Sequence, residues 1–139
     1  MSPEDAKAAV HGWIEAFNGK DIDASFALLS PDYVRHDANL PDVVGPEAEI
    51  EFVQGVHAAF PDLHFTVQQV VAEDGIVVMR MQARGTHQGD FLGVPATGRE
   101  VSVSTVETFR VADGKMVEQW VVMDALGLLQ QLGAIPATT

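Results

Sequence analysis

Residues 99–124 read Arg-Glu-Val-Ser-Val-Ser-Thr-Val-Glu-Thr-Phe-Arg-Val-Ala-Asp-Gly-Lys-Met-Val-Glu-Gln-Trp-Val-Val-Met-Asp, two β-branched, aromatic-containing runs on either side of Asp113-Gly114. An Asp-Gly pair between two such runs predicts a β-hairpin, because these residues accept the positive φ that a tight turn demands. Two registers satisfy it. A two-residue turn pairs Ala112 with Lys115. A three-residue loop with Gly114 left-handed in a bulge pairs Val111 with Lys115, and this register sorts apolar from polar side chains better. In it Val103, Thr105, Glu107 and Phe109 share a face with Val117, Gln119, Val121 and Met123, while Ser102, Ser104, Thr108 and Arg110 share the other with Met116, Glu118, Trp120 and Asp124. The first face is the more apolar and is expected to point inward.

Glu107 is then a single carboxylate on an apolar face, with Gln119 expected directly across from it. Burial raises the pKa of a carboxyl group toward the range that a general acid or base needs. The structural alternative is a glutamate near the strand end that reaches water or an arginine. The inward faces offer no evident second carboxylate or arginine beside it.

The rest of the composition bounds the function. The 139 residues are 47% hydrophobic and 20% charged, which fits a single globular domain spanning residues 1–139. A net charge of −12 has the wrong sign for nucleic acid or an anionic membrane surface, so neither partner is expected. With no cysteine, disulfides, thiol catalysis and cysteine-ligated metals are excluded. The histidines at positions 11, 36, 57, 64 and 87 show neither two-His helical spacing nor a His-x-His pair, so no metal site is expected. The opening Met-Ser-Pro-Glu-Asp lacks the regions of a signal peptide and no apolar run approaches membrane-spanning length, so a cytoplasmic protein is expected. The Ala-Thr-Thr end reads as loose.

Upstream of the hairpin, Ser2-Pro3-Glu4-Asp5 is a helix start, with a capping hydroxyl, a proline in the first turn and two acids at the positive end of the dipole. Val10, Trp13, Ile14 and Phe17 recur at helical spacing until Asn18-Gly19. Trp13 belongs to the core or, in a fold with a cavity, to the pocket wall. A short helix is expected over residues 21–29 with Ile22, Phe26 and Leu29 inward. An extended segment over residues 33–37 follows, carrying Tyr33, Arg35, His36 and Asp37. His36 reads as a cavity residue or as a structural histidine, and its adjacency to Asp37 decides nothing, since neighbours in a strand face opposite ways. Gly45-Pro46-Glu47 opens a third helix that buries Ile50, Val53, Val56 and Phe60 and closes at Pro61-Asp62. From Leu63 the period becomes two, with Leu63, Phe65 and Val67 inward, a turn at Glu73-Asp74-Gly75, then Val77, Met79, Met81 and Ala83 inward. Both methionines suit a core or a soft ligand wall. Residues 85–98, rich in glycine and containing His87, read as an ordered loop over a cavity mouth. A last helix over residues 125–132 is expected to bury Leu126, Leu129 and Leu132.

Helices first, then four consecutive strands, is an α+β order. The expected architecture is a cone: three N-terminal helices packed on a curved, mainly antiparallel sheet that encloses an apolar cavity for a hydrophobic small molecule. Met116, Trp120 and Val122 would form an exposed apolar patch on the sheet's outer face, which predicts a homodimer through that face.

Phe60-Pro61-Asp62-Leu63, Gly85-Thr86-His87, residues 91–98 (Phe-Leu-Gly-Val-Pro-Ala-Thr-Gly), Asp113-Gly114-Lys115, Glu118-Gln119-Trp120 and Leu128-Leu129-Gln130-Gln131-Leu132-Gly133 resemble the SnoaL-like polyketide (ester) cyclase family. That family lies in the nuclear transport factor 2-like, ketosteroid isomerase-like superfamily. The resemblance implies the cone fold, no cofactor, and an aldol-type cyclase or a related lyase or isomerase acting on a hydrophobic polyketide-like or ester substrate. In the best-known cyclases an acid/base aspartate sits on the last strand, where this chain has Gln119 and Val121, neither able to shuttle a proton. Asp124 nearby reads better as a helix cap. Glu107, at a position where cyclases place a polar cavity residue, is the expected base, with His36 or His87 and the Gln119 amide assisting. The expected substrate wall comprises Trp13, Tyr33, Phe65, Met79, Met81, Thr105, Gln119, Val121 and Met123. Alternatives are an epoxide hydrolase or hydratase, which would need a second carboxylate or an arginine beside Glu107, and a binding domain that has lost its chemistry.

Overall fold

The structure is a computed structural model and describes residues 1–136, so the loose end expected at residues 137–139 lies outside the described residues. Helix α1 (Pro3–Asn18) begins at a reciprocal cap: Ser2 Oγ accepts from the Asp5 N–H and the Asp5 carboxylate accepts from the Ser2 N–H. It buries Val10, Trp13, Ile14 and Phe17. Helix α2 (Ile22–Ala27) is capped by Asp21 and stops early, because Leu29 already belongs to strand β1 (Leu29–Asp37); Phe26, expected inward, is exposed. Strand β2 (Val43–Val44) and helix α3 (Pro46–Ala59) follow. Then come four long strands, β3 (His64–Glu73), β4 (Ile76–Thr86), β5 (Glu100–Ala112) and β6 (Lys115–Met123), and helix α4 (Ala125–Gln131).

The six strands form a single sheet in the order β2-β1-β6-β5-β4-β3. Strands β3 to β6 make the expected antiparallel meander, and β1 joins the free edge of β6 in parallel, so the first strand lies beside the last. The sheet is open and curved, and α1 and α3 pack on its concave side, where the apolar residues of alternate positions meet them.

The hairpin resolves the question of register. Asp113 and Gly114 both have positive φ (52° and 74°) and form a two-residue turn that pairs Ala112 with Lys115, contrary to the expected loop. The bulge sits one step further along, at Val117: Val111 pairs with Met116, Arg110 with Glu118, and Glu107 therefore with Val121 rather than Gln119. A displacement of two positions keeps the face of every residue beyond the bulge, since side chains alternate with period two. On the turn side of the bulge Met116 changes sides, as does Lys115; Met116 is fully buried in the core and is not part of the outer patch. In α4 the Asp124 cap, which accepts from the Gly127 N–H, sets the buried stripe on Leu128 and Leu132, leaving Leu126 exposed instead of inward.

Candidate active site

Strand alternation in β1 turns Tyr33, Arg35 and Asp37 to the concave side and His36 to the convex side. The Tyr33 hydroxyl, fully buried, donates to Gln119 Oε1 at 2.6 Å. Gln119 Nε2 in turn donates to Glu107 Oε1 at 2.6 Å, and Thr105 Oγ1 donates to Glu107 Oε2 at 3.2 Å. Gln119 thus reaches Glu107 diagonally across the β5–β6 pair. Both carboxylate oxygens of Glu107 accept a hydrogen bond, which fixes its orientation. Burial pushes the Glu107 carboxyl above the usual carboxylate value, while Arg35 and the bonds from Thr105 and Gln119 pull the other way and Asp37 adds to the rise.

The second half of the network comes from α3. Glu49 sits on the helix stripe with Ile50 and Val53 and is fully buried; its Oε2 accepts from Arg35 Nη1 at 3.4 Å. Burial pushes its carboxyl up to about 7, against the opposing charge of Arg35. Arg35 also holds Asp37, Nη2 to Oδ2 at 3.6 Å, and its guanidinium lies over the Phe52 ring, 4.2 Å from the centroid. Burial opposes the charge on Arg35, but Glu49, Glu107 and Asp37 outweigh it and keep the guanidinium protonated.

These groups border two adjoining hollows. The larger, about 80 Å³, has Arg35, Asp37, Thr105 and Glu107 in an otherwise apolar wall that includes Phe65, Phe91, Val121, Met123 and Leu128. The smaller, about 50 Å³, lies under α1 and is bordered by Trp13, Phe65 and Gln119, with Arg35 and Glu107 shared between the two. Ligand pockets commonly measure roughly 300–1,000 Å³. A ring-bearing guest therefore has to part the walls, and Phe91 on the loop after β4 and Leu128 on α4 belong to the elements that stand outside the sheet. A polar groove of about 490 Å³ around Asp62, Arg84 and Gln131 is roomier, but it contains none of the residues of this network.

The expected site residues divide accordingly. Trp13, Phe65, Thr105, Gln119, Val121 and Met123 line the hollows, and Tyr33 stands behind Gln119. Met79 and Met81 are fully buried in the helix–sheet core and line neither hollow. His36 is not a cavity residue: it lies on the outer face, Nε2 2.6 Å from Glu118 Oε2 and Nδ1 3.1 Å from Asp42 Oδ2, stacked on Trp120. His87 is fully buried, but its Nδ1 accepts from the Thr97 N–H at 3.2 Å and its ring stacks on Phe60, so it secures the loop after β4 and does not line either hollow. The expectation that Glu107 has no arginine or second carboxylate nearby is corrected by Arg35, Asp37 and Glu49. Their signal was present in the sequence. Arg35 and Asp37 share the parity of Tyr33, and Glu49 falls three residues before the apolar stripe's next turn resumes at Phe52 and Val53. Among the described residues no group of three His, Cys, Asp or Glu side chains converges as metal ligands do, and no helix is long and apolar enough to cross a membrane.

Residues 7–132, nearly the whole chain, match the family of SnoaL-like polyketide cyclases. The chain belongs to that family. Among its relatives, the aklanonic acid methyl ester cyclase DauD of Streptomyces sp. strain C5 is 34% identical over 130 residues, 89% of this chain and 79% of that protein. The aklanonic acid methyl ester cyclase DnrD of Streptomyces peucetius is 32% identical over 130 residues, 89% of this chain and 88% of that protein. Among solved structures, AclR, a suggested hydroxylase of Streptomyces galilaeus, superposes with a TM-score of 0.86 at 35% identity, covering 99% of this chain and 87% of that one. This SnoaL-like chain is thus an enzyme of the cyclase kind with the nuclear transport factor 2-like cone fold, and the two relatives are named as cyclases of aklanonic acid methyl ester.

Proposed function

We propose that the protein closes a ring in a hydrophobic, poly-carbonyl polyketide ester by an intramolecular aldol reaction, without a cofactor, using Glu107 as the base. The observation that carries this reading is Glu107 itself: a buried carboxylate in an apolar wall, raised in pKa by that burial and oriented by two donors. Glu107 removes the proton next to a carbonyl, and the resulting enolate carbon attacks a second carbonyl of the same molecule. General base assistance of this kind contributes about 10²–10⁴-fold. That suffices for a proton already acidified by two flanking carbonyls.

The test offers aklanonic acid methyl ester to the wild type and to Glu107→Gln, with substrate and product separated by liquid chromatography and identified by mass spectrometry. Ring closure leaves the mass unchanged, and the variant loses at least about 10²-fold in turnover. Undiminished turnover by the variant overturns the assignment.

Arg35 between Glu49 and Asp37 favours one second reading, a hydratase or hydrolase in which a carboxylate activates water. A product heavier by one water distinguishes it in the same assay. For the assembled form, we place a second copy on the outer sheet face, where Val71, Val106, Trp120 and Val122 are exposed. Sedimentation of Val122→Lys as a monomer, against a wild-type dimer, supports this arrangement.

A further inference from the structure

Arg35 is the one cation among the described residues that line the two hollows. A guanidinium has five N–H donors. Here one of them makes a hydrogen bond within the protein, Nη1 to Glu49 at 3.4 Å, a second nitrogen stands 3.6 Å from Asp37, and Nε is buried with no partner. Leaving donors of a buried charged group unspent is costly, so their persistence in a cavity wall calls for an acceptor that arrives with the ligand. The acidic surroundings decide what kind. Asp37, Glu49 and Glu107 border or hold the same guanidinium, so a ligand that enters as an anion meets three acidic groups and a single cation. A neutral ligand that becomes an anion by giving its proton to Glu107 leaves the total charge of the site unchanged.

We propose that Arg35 is the oxyanion-binding residue of the site, receiving on the substrate the negative charge that Glu107 gives up, so that the chamber takes a neutral ketone or ester carbonyl and holds it as its enolate. This rests on the reading of Glu107 as base. In the step, the Glu107 carboxylate takes the proton from the carbon next to the carbonyl. The C–H electron pair becomes the carbon–carbon double bond, and the carbonyl π pair moves onto oxygen, against an Arg35 N–H. The enolate then attacks the second carbonyl, forming the new carbon–carbon bond, and Glu107 returns its proton to the alkoxide produced. Asp37 and Glu49 are positioning residues: they hold the guanidinium, and Phe52 covers its face.

Two bicyclic probes separate the roles. 2-Tetralone is a neutral ketone with an exchangeable α-proton, and 2-naphthol mimics its enol. The wild type is expected to bind 2-naphthol more tightly than 2-tetralone and to exchange the ketone's α-proton for deuterium. Arg35→Met is made together with Glu49→Gln, so that the fully buried Glu49 is not left as an unpaired carboxylate, and is compared with Glu49→Gln alone. The double variant is expected to lose about tenfold or more in 2-naphthol affinity, with 2-tetralone affinity held within about twofold. If it fails to show a cooperative melt, Arg35→Lys, which keeps the charge but has no fork to present, is judged by the same criterion. Glu107→Gln is expected to stop the exchange while still binding 2-naphthol. An undiminished preference for 2-naphthol without Arg35, or no preference in the wild type, overturns the role of Arg35. Exchange that survives in Glu107→Gln overturns the base.

Discussion

Strands β1 and β6 carry two clusters of similar composition on opposite sides of the same sheet. Inside, Arg35, Asp37, Glu49 and Glu107 are tied together through Tyr33 and Gln119; outside, His36, Asp42, Arg110 and Glu118 form an equally dense set. Gln119 and Glu118 are neighbours in sequence, as are Arg35 and His36. The consequences differ in sign. Burial raises Glu107 and Glu49, whereas the hydrogen bond from His36 lowers the solvated Glu118. Charge pairing in water lowers a carboxyl pKa, while burial under two helices raises that of the same kind of group. The pleat, by sending alternate residues to opposite faces, decides which cluster borders the hollows.

The largest effect that would break this contrast is on turnover. Glu107→Gln is expected to cost at least about 10²-fold in kcat, whereas Glu118→Gln leaves kcat unchanged. The melting temperature of Glu107→Gln at alkaline pH should rise, because a buried ionised carboxylate has been removed. Next comes Tyr33→Phe, which strands Gln119 Oε1 without its donor. A loss of about 1–3 kcal/mol in denaturant melts is expected, with a fall in kcat larger than any change in KM as the Gln119 amide loses its fixed orientation.

Glu49→Gln sharpens the comparison through pH. With a folded pKa of about 7 against an ordinary value of 4.5, the folded chain holds a proton that the unfolded chain has lost between those values. Stability therefore falls as pH rises through that window, by up to about 1.4 kcal/mol per pH unit for one group. The variant should flatten this slope in melts run across the window. The smallest effect belongs to the outer cluster. His36 is raised above 6.5, first by its bond to Glu118, so its contribution is present below 6.5 and is lost as pH rises through the folded value. His36→Gln should cost under about 1 kcal/mol at acidic pH, nothing at alkaline pH, and leave kcat unchanged.

The same pleat explains what could be read from the chain. The meander, the caps at Ser2 and Asp124 and the inward turn of Glu107 were legible because each rests on local spacing or on alternation within one strand. The hairpin register was not, since pairing depends on where a single extra residue bulges, yet an error of two positions left Glu107 and Gln119 on the same face. In β1 the parity that Tyr33 sets turns His36 outward, whatever the reactivity of its side chain. Arg35 and Asp37 follow that parity, and only the approach of α3, a contact between distant segments, brings Glu49 to them. Met79 and Met81 were indistinguishable from pocket residues by pattern alone, because core and cavity wall demand the same apolar side chains.

The most direct measurement is a carbon-13 NMR titration of the glutamate carboxyl groups, with Glu107 and Glu118 assigned through their Gln variants. The expected result is a Glu107 midpoint above 4.5 and a Glu118 midpoint below it. Midpoints that coincide, or a Glu107 that titrates below 4.5, would contradict a buried proton carrier at the centre of this enzyme.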